Sequence, residues 1–350
     1  MDEKASTEPR VADIRFTGTA GEYFKIWIVN IALTVLTLGI YSAWAKVRKL
    51  RYFYTNTSIE NGHFDYHAKP EAILVGRLIA VGLLLIYFAM SQYLPIVGLA
   101  IIVAVLLAIP LLMVRARVFH LRNTSYHGLR FDFQRNYKDA FITIYGGGLL
   151  AAVTLGLAAP TAIYLRNKFA ANNSAYGKTP FEFNGQQIEF YKIFWKSVGL
   201  GLIGIVGYLV VSLIVGMIGA AVGAGAVAIV LQAIIFLPLL VFYLSLGIYV
   251  QVRQRNYVWN TTALGNNRFE SNLSVRKMVI LYVTNLFAIV FSLGLAIPWA
   301  QIRLAKYRAE QTQVHLADDW KRYVASRADD GSSLGEEIGE AFDVGVELAF

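Results

Sequence analysis

The sequence predicts an all-α polytopic membrane protein. Five repeat units supply helical hairpins and broken or re-entrant helices, and small cytoplasmic β-hairpins join them. Three observations predict this class. Apolar residues make up 56% of the chain and charged residues only 16%, where soluble domains carry about 45–50% and about 25%. One pattern recurs along the chain: an apolar stretch, then cations, then a polar turn, then aromatics. The basic residues gather in the six polar segments that separate the apolar stretches.

The stretch 36–66, LTLGIYSAWAKVRKLRYFYTNTSIENGHFDY, shows the pattern whole. The recurring aromatic markers are Phe16, Phe64 and Tyr66, Phe131 and Phe133, Phe181 and Phe183, Phe269, and Trp320. A polar stop precedes each marker after the first: Asn56-Thr57-Ser58, Asn123-Thr124-Ser125, Asn172-Asn173-Ser174, Asn260-Thr261-Thr262 and Gln311-Thr312. Glycines 62, 128, 177 and 265 follow four of them. Polar stop, glycine turn and alternating aromatics read as a short β-hairpin. These hairpins would pair into a sheet or ring that starts from a strand at 13–18. The organisation expected is a polar tail at 1–12, one integral membrane domain at 13–325, and an acidic tail at 326–350. The five units fall at about 13–63, 64–130, 131–180, 181–268 and 269–325.

Units two and four each hold two apolar stretches long enough to span about 30 Å of hydrocarbon with about 20 residues. Units one, three and five each hold a single stretch broken by Leu38-Gly39, Leu155-Gly156 or Leu293-Gly294. Short basic loops stay in the cytoplasm. If all six polar segments do, the short units are re-entrant or tight hairpins, broken also at Pro160 and Pro298 in units three and five. One crossing per short unit would instead give seven spans and put two basic collars outside. The charge rule favours the first arrangement, with both termini cytoplasmic.

The net charge of +9 fits cytoplasmic loops facing anionic lipid better than nucleic acid. The chain has no cysteine, which excludes disulfides, thiolate nucleophiles and cysteine-held metals. The N-terminal MDEKASTEPR lacks signal-peptide features, so the first membrane segment is expected to direct insertion and remain. No cofactor is implied. His63 and His67 flank a strand, a spacing that suits a solvated loop better than a metal. No Ser-His-Asp or paired-carboxylate set stands out, so an enzyme is the least supported class. The oligomeric state is open.

Two residue sets are candidate sites. Lys46, Arg48, Lys49, Arg51, Arg115, Arg117, Arg253, Arg255 and Arg303 form cationic collars that either bind anionic lipid head groups or simply anchor the helices. Asn30, Thr34, Thr37, Asn285 and Ser292 either line a polar intramembrane site, with the two asparagines facing each other across the repeat interface, or make ordinary interhelical hydrogen bonds. No Asp, Glu or His lies in the middle of a predicted span, which counts against a proton- or sodium-coupled pump. Two functions fit: uncoupled transport or permeation of a small molecule or lipid, or a non-transporting scaffold that binds anionic lipid or a protein partner through its hairpin layer. The acidic tail at 329–350 either docks onto the basic collars or is solvated.

The run Phe16-Thr17-Gly18, Tyr23-Phe24-Lys25-Ile26-Trp27, TLGIYSAWAKVRKLRYFYTNT and GHFDY, with the tail LGEEIGEAFDVGVEL, resembles the YjgN-like bacterial inner-membrane proteins over essentially the whole chain. The resemblance implies a multi-pass protein of the bacterial inner (plasma) membrane. It carries over no substrate and no catalytic residue.

Overall fold

Each polar stop begins a tight hairpin, and the hairpins pair with one another. The computed structural model describes residues 10–221, 223 and 225–317. Its strands are β1 (Arg10–Phe16), β2 (Thr57–Ile59), β3 (Gly62–Tyr66), β4 (Thr124–Tyr126), β5 (Leu129–Phe133), β6 (Ser174–Tyr176), β7 (Thr179–Phe183), β8 (Thr262–Leu264), β9 (Asn267–Ser271) and β10 (Thr312–Leu316). Consecutive strands pair antiparallel, and β10 pairs back onto β1, so the sheet is a closed barrel. This corrects the all-α class with small hairpins: the β layer is one closed ten-stranded barrel. The cause is physical. Apart from β1, each strand has only three or five residues. An isolated two-stranded hairpin is marginal in water, whereas closure pairs every edge.

The barrel is filled by its own side chains. Ile14, Phe64, Phe131, Phe181 and Phe269 form an inner girdle, and the register sets them opposite Ile59, Tyr126, Tyr176, Leu264 and Val314. The four phenylalanine rings stack in sequence, with centroids 6.3, 6.4 and 6.0 Å apart. Tyr176 donates its hydroxyl to the carbonyl of Tyr126 at 2.8 Å, and Tyr126 donates to that of Ile59 at 2.9 Å. Neighbouring hairpins are thereby tied tip to tip. Burial raises both phenols above their ordinary value.

Between successive strand pairs run the helices: α1 (Ala20–Leu36), α2 (Ser42–Thr55), α3 (Pro70–Tyr93), α4 (Pro95–Arg122), α5 (Tyr137–Phe141), α6 (Gly147–Val153), α7 (Ala159–Asn172), α8 (Gln187–Ala221), α9 (Gly225–Asn260), α10 (Val275–Phe291) and α11 (Ile297–Glu310). A π-helical turn, Ile142–Gly146, joins α5 to α6. Every helical hairpin leaves the barrel on one strand and returns on the next. All five therefore stand on one rim, and the β-turns occupy the other. Neighbouring helices pack in a closed circuit from α1 round to α11.

The polar stops make this junction. The backbone N–H groups of Thr17, His67, Gln134, Asn184 and Asn272 donate to the carbonyls of Asn56, Asn123, Asn173, Thr261 and Gln311, all at 2.7–2.9 Å. One bond thus closes the base of every helical hairpin. Thr57, Thr124, Ser174, Thr262 and Thr312 each donate a hydroxyl to the carbonyl four residues back. A polar residue followed by threonine or serine is therefore the device that ends a helix and starts a strand.

The hairpins differ in length. Among the described residues, α3, α4, α8 and α9 are long and apolar enough to cross a membrane. By contrast, α1 and α10 have 17 residues and α2, α7 and α11 have 14, or about 21–25 Å at 1.5 Å per residue. Their turns share one geometry. Thr37, Thr154 and Ser292 each donate a hydroxyl back to the first helix and accept an N–H from the residue four positions on. Leu38, Leu155 and Leu293 follow at φ near +50°, then Gly39, Gly156 and Gly294 at φ near +90°. The three leucines are 93–95% exposed. Such a φ strains any residue with a Cβ, and an apolar residue that accepts it suits a tip facing hydrocarbon. The marker Trp320 and the acidic stretch 329–350 lie outside the described residues, as does docking of that stretch onto the collars.

Candidate functional site

The polar intramembrane set is used up inside its own hairpins. Asn30 and Asn285 are buried. Each donates its amide across to the returning helix, at the carbonyl of Ala45 or Ala300, over 3.4 Å. Each accepts from an arginine on that helix: Arg48 Nη1 at 3.5 Å and Arg303 Nη1 at 3.3 Å. Thr34 donates to the carbonyl of Asn30 at 2.6 Å. Thr37 and Ser292 belong to the hairpin turns. The two asparagines therefore act alike in two separate clamps, each bonded within its hairpin and not across the repeat interface. Unit three lacks the clamp. Gly147 stands in the asparagine's slot and packs so closely that a Cβ would meet Ala162 at 3.2 Å. Its arginine, Arg166, is displaced by one position and turns elsewhere.

The collar divides in two. Arg48 and Arg51 are exposed, and Lys46 and Lys49 are half-buried. Arg51 also donates to the carbonyl of Tyr66 at 3.4 Å, and Arg303 lies 5.0 Å over the ring of Trp299. Arg115 and Arg253 are exposed. Two residues on, Arg117 and Arg255 turn inward. Residues two apart on a helix lie about 200° apart, so an Arg-x-Arg pair near a helix end must aim one side chain out and the other in.

The inward arginines reach a chamber of about 480 Å³ on the helix side of the barrel. Its floor is the aromatic girdle, with Phe64, Phe131, Phe181 and Phe269 on its surface. Its wall is the last two turns of the returning helices, with Arg117 from α4, Arg166 from α7, Arg255 from α9 and Arg308 from α11. Arg117 and Arg255 each stand seven residues before the Thr124 or Thr262 that opens the next strand. Arg117 lies 5.7 Å over the Phe133 ring, and Arg255 5.7 Å over Trp259. The Nε of Arg117 and that of Arg308 are buried and, among the described residues, have no hydrogen-bond partner. Asn167, Gln251 and Gln254 add neutral polar groups, and Leu121, Val252 and Met278 add apolar surface. Four cations line the chamber, and among the described residues no carboxylate does. The sequence assigns Arg117 and Arg255 to the cationic collars and gives Arg166 and Arg308 no candidate role. The Arg-x-Arg spacing, repeated at the same place in units two and four, was the signal available.

A family described as bacterial proteins of unknown function, DUF898, matches residues 12–341. The chain belongs to this family. Its relatives include the inner membrane protein YjgN of Salmonella typhimurium strain LT2, 26% identical across 85% of this chain and 87% of that protein. The inner membrane protein YjgN of Escherichia coli K12 is 29% identical over 46% of this chain and 39% of its own length. That of E. coli O157:H7 is 28% identical over the same shares. No solved structure matches. With the four long apolar helices, these relatives identify a YjgN-like bacterial inner-membrane protein.

Proposed function

We propose that the protein is a non-transporting membrane scaffold whose central chamber binds the head group of an anionic lipid. The barrel and its turn rim lie in the cytoplasm. Helices α3, α4, α8 and α9 cross the bilayer, and the three short hairpins enter and leave it on the barrel side. The observation that carries this reading is the charge of the chamber. Guanidinium groups withdrawn from bulk water need a counter-anion. The carbonyls at the ends of the returning helices supply only about half a negative charge each. The apolar wall beside the arginines favours an amphiphile over a free inorganic ion. An uncoupled permeation path would have to pass beside the barrel, because side chains fill its interior.

The full chain in detergent, titrated with phosphatidylglycerol and followed by native mass spectrometry, tests the reading. Arg117→Gln with Arg255→Gln weakens binding by about tenfold or more, since each charge-assisted bond lost is worth about 1.5–3 kcal/mol. Arg115→Gln with Arg253→Gln, two residues away on the outer face, leaves it nearly unchanged. Equal losses from both pairs would return the site to the outer collars.

A further inference from the structure

The five hairpins can be measured from one level. On four of the returning helices an arginine stands nine residues before the threonine that opens the next strand. These are Arg48 before Thr57, Arg115 before Thr124, Arg253 before Thr262 and Arg303 before Thr312. All four threonines lie on the same rim of the barrel, so the arginines stand at about one height above it. Arg48, Arg115 and Arg253 are exposed, and such side chains carry their charge to the membrane surface. On α7 the same level falls at Leu165, beside Arg166. Counted from there, Leu38, Leu155 and Leu293 each lie ten residues up, or about 15 Å at 1.5 Å per residue. The count is 20 residues to the start of α4 at Pro95 and 28 to the start of α9 at Gly225, or about 30 and 42 Å. Hydrocarbon is about 30 Å thick. The long hairpins reach its far side, and the short ones stop near its midplane. Side-chain chemistry at the tips agrees. Each tip leucine has another exposed apolar residue two positions to either side, as Leu36 and Ile40 flank Leu38. The hydroxyl of each short turn is bonded within the turn. The tip between α3 and α4 instead carries Gln92 and Tyr93, both exposed, and tyrosine is at home at an interface.

We infer that the helix ring is a one-leaflet wedge, fitted to a bilayer whose barrel-side leaflet is convex. Among the described residues all five hairpins occupy the barrel-side leaflet, and only α3, α4, α8 and α9 continue into the opposite one. Apolar bodies inserted into a single leaflet spread it and respond to its curvature. The leucine tips meet the chain ends of the opposite leaflet, where an exposed leucine has no cost and a charge would have a large one. The inference rests on entry of the short hairpins from the barrel side, and not on the chamber. Loss of head-group binding would leave the tip depths as they are, and shallow tips would leave that binding as it is.

The chain contains no cysteine, so single sites can be labelled cleanly. Full-length Leu38→Cys, Leu155→Cys, Leu293→Cys and Tyr93→Cys are labelled with a bimane and reconstituted into vesicles of phosphatidylethanolamine and phosphatidylglycerol. The vesicles include lipids brominated either near the carbonyl or at the chain end. Chain-end bromines quench the three leucine-site labels at least about twofold more than carbonyl-end bromines, and the order reverses at Tyr93, half a bilayer away. Leucine-site labels quenched like the one at Tyr93 overturn the wedge. Labels that no bromolipid quenches overturn it too, by placing a second copy of the chain over the tips. Curvature is read from protein per lipid, which rises at least about twofold as vesicle diameter falls from about 200 to about 30 nm. The barrel then faces outward, as labelling of His127→Cys, in an exposed turn, by an impermeant maleimide reports. Equal density at every diameter overturns the fit to a curved bilayer even where the tips are deep. Leu38→Asn, Leu155→Asn and Leu293→Asn together relax the left-handed φ, which asparagine tolerates, but set amides in hydrocarbon without partners. Recovery in vesicles falls severalfold, and equal or better recovery would put the tips in water and overturn the inference.

Discussion

The barrel and the helix ring are built from the same five repeats but hold themselves together differently. In the barrel every strand has two neighbours, and the inner girdle is packed by the chain alone. In the ring the long helices pack on their neighbours in the circuit and, at their barrel ends, on β5 and β9, and most of their apolar surface faces outward. One layer carries its own core, and the other borrows the bilayer. The chamber lies where the two meet, which is where an amphiphile can have its polar end held by protein and its apolar end by lipid.

The sharpest way to break this comparison is to delete the same side chain from each layer. Phe131→Ala, in the barrel girdle, destabilises the protein in detergent by about 3–5 kcal/mol. Phe88→Ala on α3, at a position 56% exposed, changes stability by about 0.5 kcal/mol or less. Chemical unfolding of both variants measures the contrast, and similar losses would mean that the layers are equally self-supporting. A smaller effect sharpens the border between them. Asn285→Ala removes the amide that joins α10 to α11 and takes an acceptor from Arg303, at a cost of about 1–3 kcal/mol. The Asn30→Ala variant matches it, because its clamp is the same.

The smallest effect is in acid, on the barrel's outer surface. Asn272 donates to the Glu270 carboxylate at 2.6 Å, and His315 pairs with it at 2.7 Å. These contacts, Asn272 first, hold the Glu270 carboxyl below its ordinary value. A carboxyl with a depressed folded pKa stabilises fully above its unfolded value and loses that contribution as pH falls through the folded one. The melting temperature of the natural chain therefore drops more than that of Glu270→Gln as pH is lowered below about 4.5. The difference is slight, because the site is exposed and screened.

Much of this architecture was legible in the sequence. The paired apolar stretches of units two and four, the Leu-Gly breaks and the polar stops each correspond to a helix, a turn or a cap. Closure of the barrel was not fixed by any one stretch. A three-residue strand such as Thr124–Tyr126 carries almost no signal of its own, and what decides the fold is that five such hairpins meet edge to edge. Asn30 and Asn285 were visible as an equivalent pair, but spacing alone could not say that each reaches into its own hairpin. The chamber was hidden for a related reason. Arg166 and Arg308 sit one and four positions away from repeat landmarks, and only the convergence of the returning helices brings them together with Arg117 and Arg255.

The exposed leucine tips bear on how the protein is made. A short hairpin that ends in Leu38, Leu155 or Leu293 has nothing hydrophilic to push through the bilayer, so it can sink in from the side of synthesis without a translocation channel. The long hairpins ask little more: from Leu78 to Val114 and from Ser197 to Val252 the chain carries no ionisable acid, base or histidine. With the barrel on the side of synthesis, as proposed above, biogenesis would reduce to partitioning of greasy loops from that side, and the nascent hairpins would wait there for the last strand to find the first.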